Sequence, residues 1–343
     1  MDTSIGIKDT LPGADPDAPL LEVEDLLVEF DMRGERVKVV NGVSYTLQKG
    51  RTLAIVGESG SGKSVTSQAV MGIVPSPPGH ITGGEIRLHG VDLLRQSAET
   101  RRQVKSDHIA MVFQDALSAL NPLWTVGHQI GELFRVRRGM DRRSAKKRAV
   151  ELLDMVGIPD AKNRVKHYPH EFSGGMRQRV MIAMALALDP EVLIADEPTT
   201  ALDVTVQAQI MKTLKEIQEE RQMGLVLITH DLGVVADVAD DVAVMYAGRV
   251  VETAPIRELF AHPSHPYTEA LLRAIPRIDG AGRELEVIGG LPPNPQALPG
   301  GCSFHPRCHR AREKCATEVP AELAVAGDHS SRCHFAKEVY GDE

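Results

Sequence analysis

Short apolar runs recur along this chain, each about a strand long and each leading into a polar or glycine-rich stretch. They are Thr52-Leu53-Ala54-Ile55-Val56, Ile109-Ala110-Met111-Val112-Phe113, Glu191-Val192-Leu193-Ile194-Ala195 and Leu225-Val226-Leu227-Ile228-Thr229. Runs this short and this continuously apolar read as strands buried on both faces, the mark of a parallel sheet covered by helices. Helical segments are expected between them, at Ser64 to Met71, from Phe172-Ser173-Gly174-Gly175 through Leu188, and at Val206 to Gln222. Before the first run the pattern changes. Leu20 to Phe30 alternates as a strand, Asp31 to Arg36 contains a turn, and Val37 to Val40 and Val43 to Leu47 return as strands, with Asn41-Gly42 as a turn signal. Gly83 to Leu88 resumes a strand, and Val242 to Tyr246 with Arg249 to Glu252 flanks Ala247-Gly248 as a hairpin. Residues from about Leu117 to Tyr168 are helix-rich and amphipathic. Their basic run, Arg135 to Arg148, has Glu132, Asp141 and Glu151 nearby and reads as a solvated helix face rather than a lipid or RNA surface.

What ends the strands carries the chemistry. The first feeds Gly57-Glu58-Ser59-Gly60-Ser61-Gly62-Lys63-Ser64, which fits the phosphate-loop pattern G-x-x-x-x-G-K-[ST] at every fixed position. Three glycines let the backbone turn tightly enough to point successive N–H groups inward. Lys63 can then reach β- and γ-phosphates, and the Ser64 hydroxyl can ligate Mg²⁺. The other strands end at Gln114, Asp196-Glu197 and His230. In an open parallel sheet ligands bind beyond the carboxyl ends of the strands, so these points are expected to converge. Each supplies something ATP hydrolysis needs. Asp196 joins Ser64 on the metal, Glu197 is positioned to polarise the attacking water as general base, Gln114 senses water and metal, and His230 contacts the γ-phosphate. Phe30 is a candidate to stack on the adenine; the alternative is that it is simply core. Ser173 is a natural N-cap, and Gly174-Gly175 just inside a helix start costs stability unless a ligand approaches closely there.

Composition narrows the partners. The chain has 343 residues, 42% of them hydrophobic, and a formal net charge of −8, which disfavours a general nucleic-acid binder. Its longest strictly apolar run, Val180 to Leu188, falls well short of the roughly 20 residues a membrane-spanning helix needs. The acidic, Pro/Gly-containing N-terminus has no apolar core of a signal peptide and reads as a disordered lead over residues 1–19. A cytosolic protein is expected; if it works at a membrane, other subunits supply the spans.

Taken together, these residues resemble an ATP-binding cassette (ABC) ATPase of an importer. Phe172-Ser173-Gly174-Gly175-Met176 stands where that family carries Leu-Ser-Gly-Gly-Gln; Phe172 and Met176 depart from it, and the Ser-Gly-Gly that faces phosphate is intact. The resemblance runs from about Leu20 to the C-terminus. It implies an α/β P-loop NTPase fold with a RecA-like core, an antiparallel β subdomain and a helical subdomain at about 117–170. The cassette would span 20–258 and a C-terminal Cys-rich extension 259–343. It also implies that two cassettes sandwich two ATPs, each nucleotide lying between one chain's phosphate loop and the other's Ser173, Gly174 and Gly175. His262-Pro263-Ser264-His265-Pro266-Tyr267-Thr268, Leu271-Leu272 and Ile275-Pro276 resemble the C-terminal extension of dipeptide and oligopeptide importer ATPases, as does Phe113-Gln114-Asp115-Ala116-Leu117-Ser118-Ala119-Leu120-Asn121-Pro122. The partners so implied are a second, paralogous cassette, two membrane permease subunits at the cytoplasmic face of the membrane, and an extracytoplasmic peptide-binding protein. Nickel importers share the tail, so the ATPase of a nickel or other small-solute importer is the alternative. A non-transport ABC protein fits less well, because this chain has one set of motifs and no long heptad run.

All four cysteines, Cys302, Cys308, Cys315 and Cys333, lie in the last part of the chain, spaced C-x5-C-x6-C-x17-C in a Pro/Gly-rich tail too poor in apolar residues to bury much core. Two disulfides are disfavoured among cytosolic thiols. A Cys₄ zinc site is possible, although the short C-x₂₋₄-C pairs of zinc knuckles are missing. Four thiolates at long, irregular spacing suit a [4Fe–4S] cluster, and the resemblance to dipeptide-importer ATPases that carry one points the same way.

Overall fold

The structure is a computed structural model and describes residues 11–115, 119–200, 202–275 and 288–341. Expectations touching Ala116 to Ser118, Ala201, Pro276 and residues 1–10 lie outside the described residues. Named in chain order, the strands are β1 (Leu21–Met32), β2 (Glu35–Leu47), β3 (Thr52–Val56), β4 (Gly79–Leu88), β5 (Val91–Asp92), β6 (Ile109–Val112), β7 (Val192–Asp196), β8 (Gly224–Thr229), β9 (Asp241–Tyr246), β10 (Arg249–Pro255), β11 (Leu323–Ala326) and β12 (His329–Ser331). The chain forms two compact units: residues 1–21, 47–51 and 87–226, and residues 22–46, 52–86 and 227–343.

The first unit holds β6 and β7, paired in parallel from Ile109↔Val192 to Val112↔Ala195. Every residue of β7 is buried, as its unbroken apolar run predicts. The helices Val126–Arg138 and Arg142–Met155 pack through Ile130, Phe134, Ala145, Ala149, Leu152 and Leu153. Thr125 caps the first and Asp141 the second, its carboxylate accepting from the N–H groups of Arg143 and Ser144. The basic run is not uniformly solvated: Arg138 is nearly buried and donates to Asp107 at 2.9 Å and to the Leu188 carbonyl at 3.2 Å. Nor is the N-terminal lead loose throughout. Leu11 is fully buried, and Asp15 N–H donates to the His89 carbonyl. Glu191, just before β7, is hydrogen-bonded to His108 Nδ1 at 2.8 Å and His89 Nε2 at 2.9 Å. Burial pushes its carboxyl up, but the two histidines outweigh burial and hold it at about 2.

The second unit contains the sheet order β11-β12-β10-β9-β3 and, separately, β2-β1-β4. β1 and β2 turn at Arg33 and Gly34, both at positive φ. Asn41-Gly42 is therefore not a turn. β2 runs straight through it, with Gly42 at φ 77° as a local kink and Asn41 N–H given to the Gly248 carbonyl. β3 and β9 pair in parallel from Leu53↔Asp241 to Val56↔Val244. β9 returns as β10 across Ala247 (φ 49°) and Gly248 (φ 77°), the expected hairpin.

The tail differs most from expectation. It buries real core. β12 pairs antiparallel with β10, Glu252 opposite Ser331, so β12 and then β11 extend the sheet. Phe304 is buried within van der Waals range of the Tyr246 and Tyr267 rings, with centroids 5.2 and 5.3 Å away. A fully buried carboxylate, Glu252, ties the tail down: it accepts from Ser264 N–H (2.6 Å), His265 N–H (3.0 Å) and Ser264 Oγ, and His329 Nε2 stands 2.8 Å away. The tail looks apolar-poor because its packing surface is aromatic and polar-networked rather than aliphatic.

Candidate nucleotide-binding site

In the second unit, β3 is buried along its whole length and delivers the chain to the loop 57–62, after which the helix Lys63–Met71 begins. The loop's glycines are required by its shape. Gly57 sits at φ 152° and a Cβ there would meet the Met245 carbonyl oxygen at 2.2 Å; Gly62 sits at φ 102°, and a Cβ there would stand 2.9 Å from the Val39 carbonyl oxygen. The Lys63 ammonium lies over the loop, donating to the Gly57 carbonyl at 2.7 Å and the Glu58 carbonyl at 2.9 Å. The Ser61 hydroxyl is buried and finds no hydrogen-bond partner among the described residues. A cationic ammonium held by neutral carbonyls and an unsatisfied buried hydroxyl beside a helix N-terminus make a site suited to an anion. Ser64 opens the helix beside them.

Glu58 departs from the simple picture of loop amides all pointing inward. Its N–H donates to the Tyr267 hydroxyl at 2.8 Å, and its carboxylate is gripped by both terminal nitrogens of Arg307, at 2.6 and 2.9 Å. Phe30 is half-buried at the end of β1 with its ring edge against Gly79, 3.1 Å from where a Cβ would stand. His230 is exposed immediately after β8, ahead of Asp231, which caps the helix Leu232–Val238.

In the first unit, Asp196 ends β7 and is buried, and Glu197 follows at φ 45°, in the left-handed region that a side-chain-bearing residue seldom occupies. That turn brings the Glu197 carboxylate to Gln114, whose Nε2 donates to Oε2 at 2.8 Å, and to Thr200, whose hydroxyl donates to the same oxygen at 2.9 Å. Gln114 and Glu197 thus meet, as their places at strand ends suggest. Thr200 was not anticipated; its only signal is a hydroxyl three residues past a carboxylate at a turn. Ser173 caps the helix Gly174–Ala185, accepting from Met176 N–H. At Gly175 a Cβ would stand 2.5 Å from Val206 Cγ1, so close packing of the following helix already requires this glycine.

The four cysteines line one cavity, shared with His265, Phe304 and Phe335. Burial pushes the thiols of Cys302 and Cys308 up and that of Cys333 to about 12. Among the described residues no three His, Cys, Asp or Glu side chains stand as a cage for a single metal ion.

Residues 40–200 match the ABC transporter family, and residues 251–315 match the oligopeptide/dipeptide transporter C-terminal region. A putative peptide import ATP-binding protein of Brucella abortus is 50% identical over 326 residues, covering 92% of this chain and 96% of its own length. The chain belongs to the ABC transporter ATP-binding subunits, in their oligopeptide/dipeptide branch. The dipeptide transport ATP-binding protein DppD of Bacillus subtilis is 49% identical over 314 residues, covering 92% of this chain and 94% of DppD. A dimeric bacterial ABC transporter cassette of known structure superposes with a TM-score of 0.62 at 29% identity, over 69% of this chain and 99% of that one. As a member of this family the chain is an ATPase. No helix among the described residues is long and apolar enough to cross a membrane.

Proposed function

We propose that this chain is the ATP-hydrolysing subunit of an importer that takes up di- or oligopeptides, working with two permease subunits, a paralogous second cassette and an extracytoplasmic binding protein at the cytoplasmic face of the membrane. The single observation that carries this is the joining, in one chain, of a phosphate loop of the right local geometry to a C-terminal region of the oligopeptide/dipeptide type. Peptide-import relatives spanning nearly the whole chain favour peptide over the nickel-importer reading.

The phosphate loop binds the nucleotide's β- and γ-phosphates, with Lys63 exchanging two neutral carbonyls for charged oxygens. Ser64 and Asp196 hold Mg²⁺, which neutralises charge on the phosphates when bound. Glu197 is the general base. The amide of Gln114 and the hydroxyl of Thr200 both donate to one oxygen of its carboxylate, which fixes its orientation. His230 contacts the γ-phosphate, and Phe30 packs against adenine. Ser173, Gly174 and Gly175 serve the nucleotide of the opposing cassette. This reading is supported by a related cassette of known structure that is dimeric.

Glu197→Gln keeps the shape and both hydrogen-bond donors but removes the basicity. The assembled transporter carrying it is expected to bind ATP as before and to lose single-turnover hydrolysis by about two or more orders of magnitude. Hydrolysis near the wild-type rate would remove Glu197 from the role of base.

The four cysteines are proposed to hold a [4Fe–4S] cluster that staples the tail. Their donor set and their convergence on one cavity support it. A Cys₄ zinc site is the alternative occupant of the same thiols; among the described residues no cage for a metal ion is preformed, so either group would rearrange the four side chains. The cavity encloses about 20 Å³, so loading spreads the four side chains, and it releases protons because burial favours the protonated thiols of Cys302, Cys308 and Cys333. Anaerobically purified protein should be brown with about four irons per chain; colourless protein with one zinc would overturn the cluster.

A further inference from the structure

The loop between the first two cysteines reaches the phosphate loop. Between Cys302 and Cys308 it carries Phe304 and Arg307. Phe304 is buried between Tyr246 and Tyr267. Arg307, 5% exposed, makes a bidentate pair with Glu58, the second residue of the phosphate loop. It is built into place rather than resting on a surface. Its Nε donates to the Gly289 carbonyl at 2.9 Å, one terminal nitrogen reaches the Tyr246 hydroxyl at 3.3 Å, and the guanidinium lies 5.8 Å from the centre of the Tyr246 ring. Tyr267, fully buried, accepts the Glu58 N–H. The tail therefore holds Glu58 twice, by backbone and by side chain.

We infer that Arg307 is a positioning residue for ATP binding: it neutralises the Glu58 carboxylate and keeps it drawn out of the phosphate loop, so that the C-terminal extension sets the nucleotide affinity of the cassette it belongs to. The physical reason is charge. The nucleotide brings several negative charges to a loop that itself contains a carboxylate. With Arg307 in place Glu58 is part of a neutral pair. Without it, a side chain 24% exposed keeps an uncompensated negative charge beside the incoming phosphates. Pairing with Glu58 holds the guanidinium's proton more firmly still, so Arg307 stays charged. Cys302 N–H donates to the Cys315 carbonyl and Cys308 N–H to the His305 carbonyl, which holds the backbone of the segment that carries Arg307.

This inference rests on residues 57–64 binding nucleotide, and the test separates the two. MgATP affinity is measured by equilibrium titration on the purified full chain, wild type and Lys63→Ala first. Wild-type protein that binds no MgATP would refute the phosphate-loop reading itself. Arg307→Ala is expected to raise Kd about tenfold, equivalent to 1.4 kcal/mol, and in the assembled transporter to raise KM without a matching fall in kcat. Arg307→Lys, which keeps the charge but not the fork, should retain most of the affinity. The double variant Glu58→Gln with Arg307→Ala should recover to within about threefold of wild type, because the unpaired charge is gone. A merely structural arginine would not be rescued by Glu58→Gln. Unchanged affinity in Arg307→Ala, or a loss that Glu58→Gln fails to repair in protein that still melts cooperatively, would overturn the inference.

Discussion

His265 makes the tail acid-sensitive in a way that can be isolated. It caps the helix Pro266–Arg273 with its ring, Nδ1 accepting the Tyr267 N–H at 3.1 Å, and that helix carries the Tyr267 hydroxyl to the phosphate loop. Its acceptor role demands the neutral ring. Burial lowers the imidazole to about 4, against a partial upward pull from the Glu252 carboxylate. The ordinary value is near 6.5, so between 6.5 and 4 the unfolded chain binds a proton that the folded chain refuses. Stability is complete above 6.5 and falls as pH drops through that window, by about 3 kcal/mol from pH 7 to pH 4. His265→Asn keeps a side-chain acceptor at the cap and cannot titrate. Amide hydrogen exchange of the helix Pro266–Arg273 gives the local opening free energy, and comparing the two proteins at each pH cancels the intrinsic exchange rate. The wild-type helix should lose about 3 kcal/mol more than the variant across that window. Parallel pH dependence in the two proteins would refute the reasoning.

Other groups give equally direct expectations. Glu191→Gln leaves His89 and His108 without their shared anion; it should cost about 2 kcal/mol at neutral pH. It should also remove a stability loss that wild type shows as pH falls from about 4.5 toward 2, read by chemical denaturation across pH. Gly175→Ala drives a methyl into Val206 Cγ1 and should lower stability by about 1–3 kcal/mol despite alanine's better helix propensity, with Val206→Ala restoring it; a thermal melt of the three proteins decides.

Where a shape is written in consecutive residues, the sequence alone is enough. Gly57 to Ser64 is legible because the loop's shape depends on its own glycines and the helix it opens. The buried strands β3, β6, β7 and β8 are legible because burial on both faces leaves no room for a polar residue until the strand ends. The Ala247-Gly248 hairpin follows for the same local reason. Asn41-Gly42 misleads because a turn signal states what a backbone can do, and β2, paired with β1 in its sheet, stays a strand through it. The tail misleads because its core is made by aromatic rings and a buried carboxylate on β10 whose partners arrive from β12 and the segment around Ser264. Glu58 and Arg307 are 249 positions apart, and neither carries a sign of the other. Only the folded chain decides such a pair, because an ion pair is favourable once packing has excluded water from one partner and set both at hydrogen-bonding distance, and no local pattern encodes that exclusion.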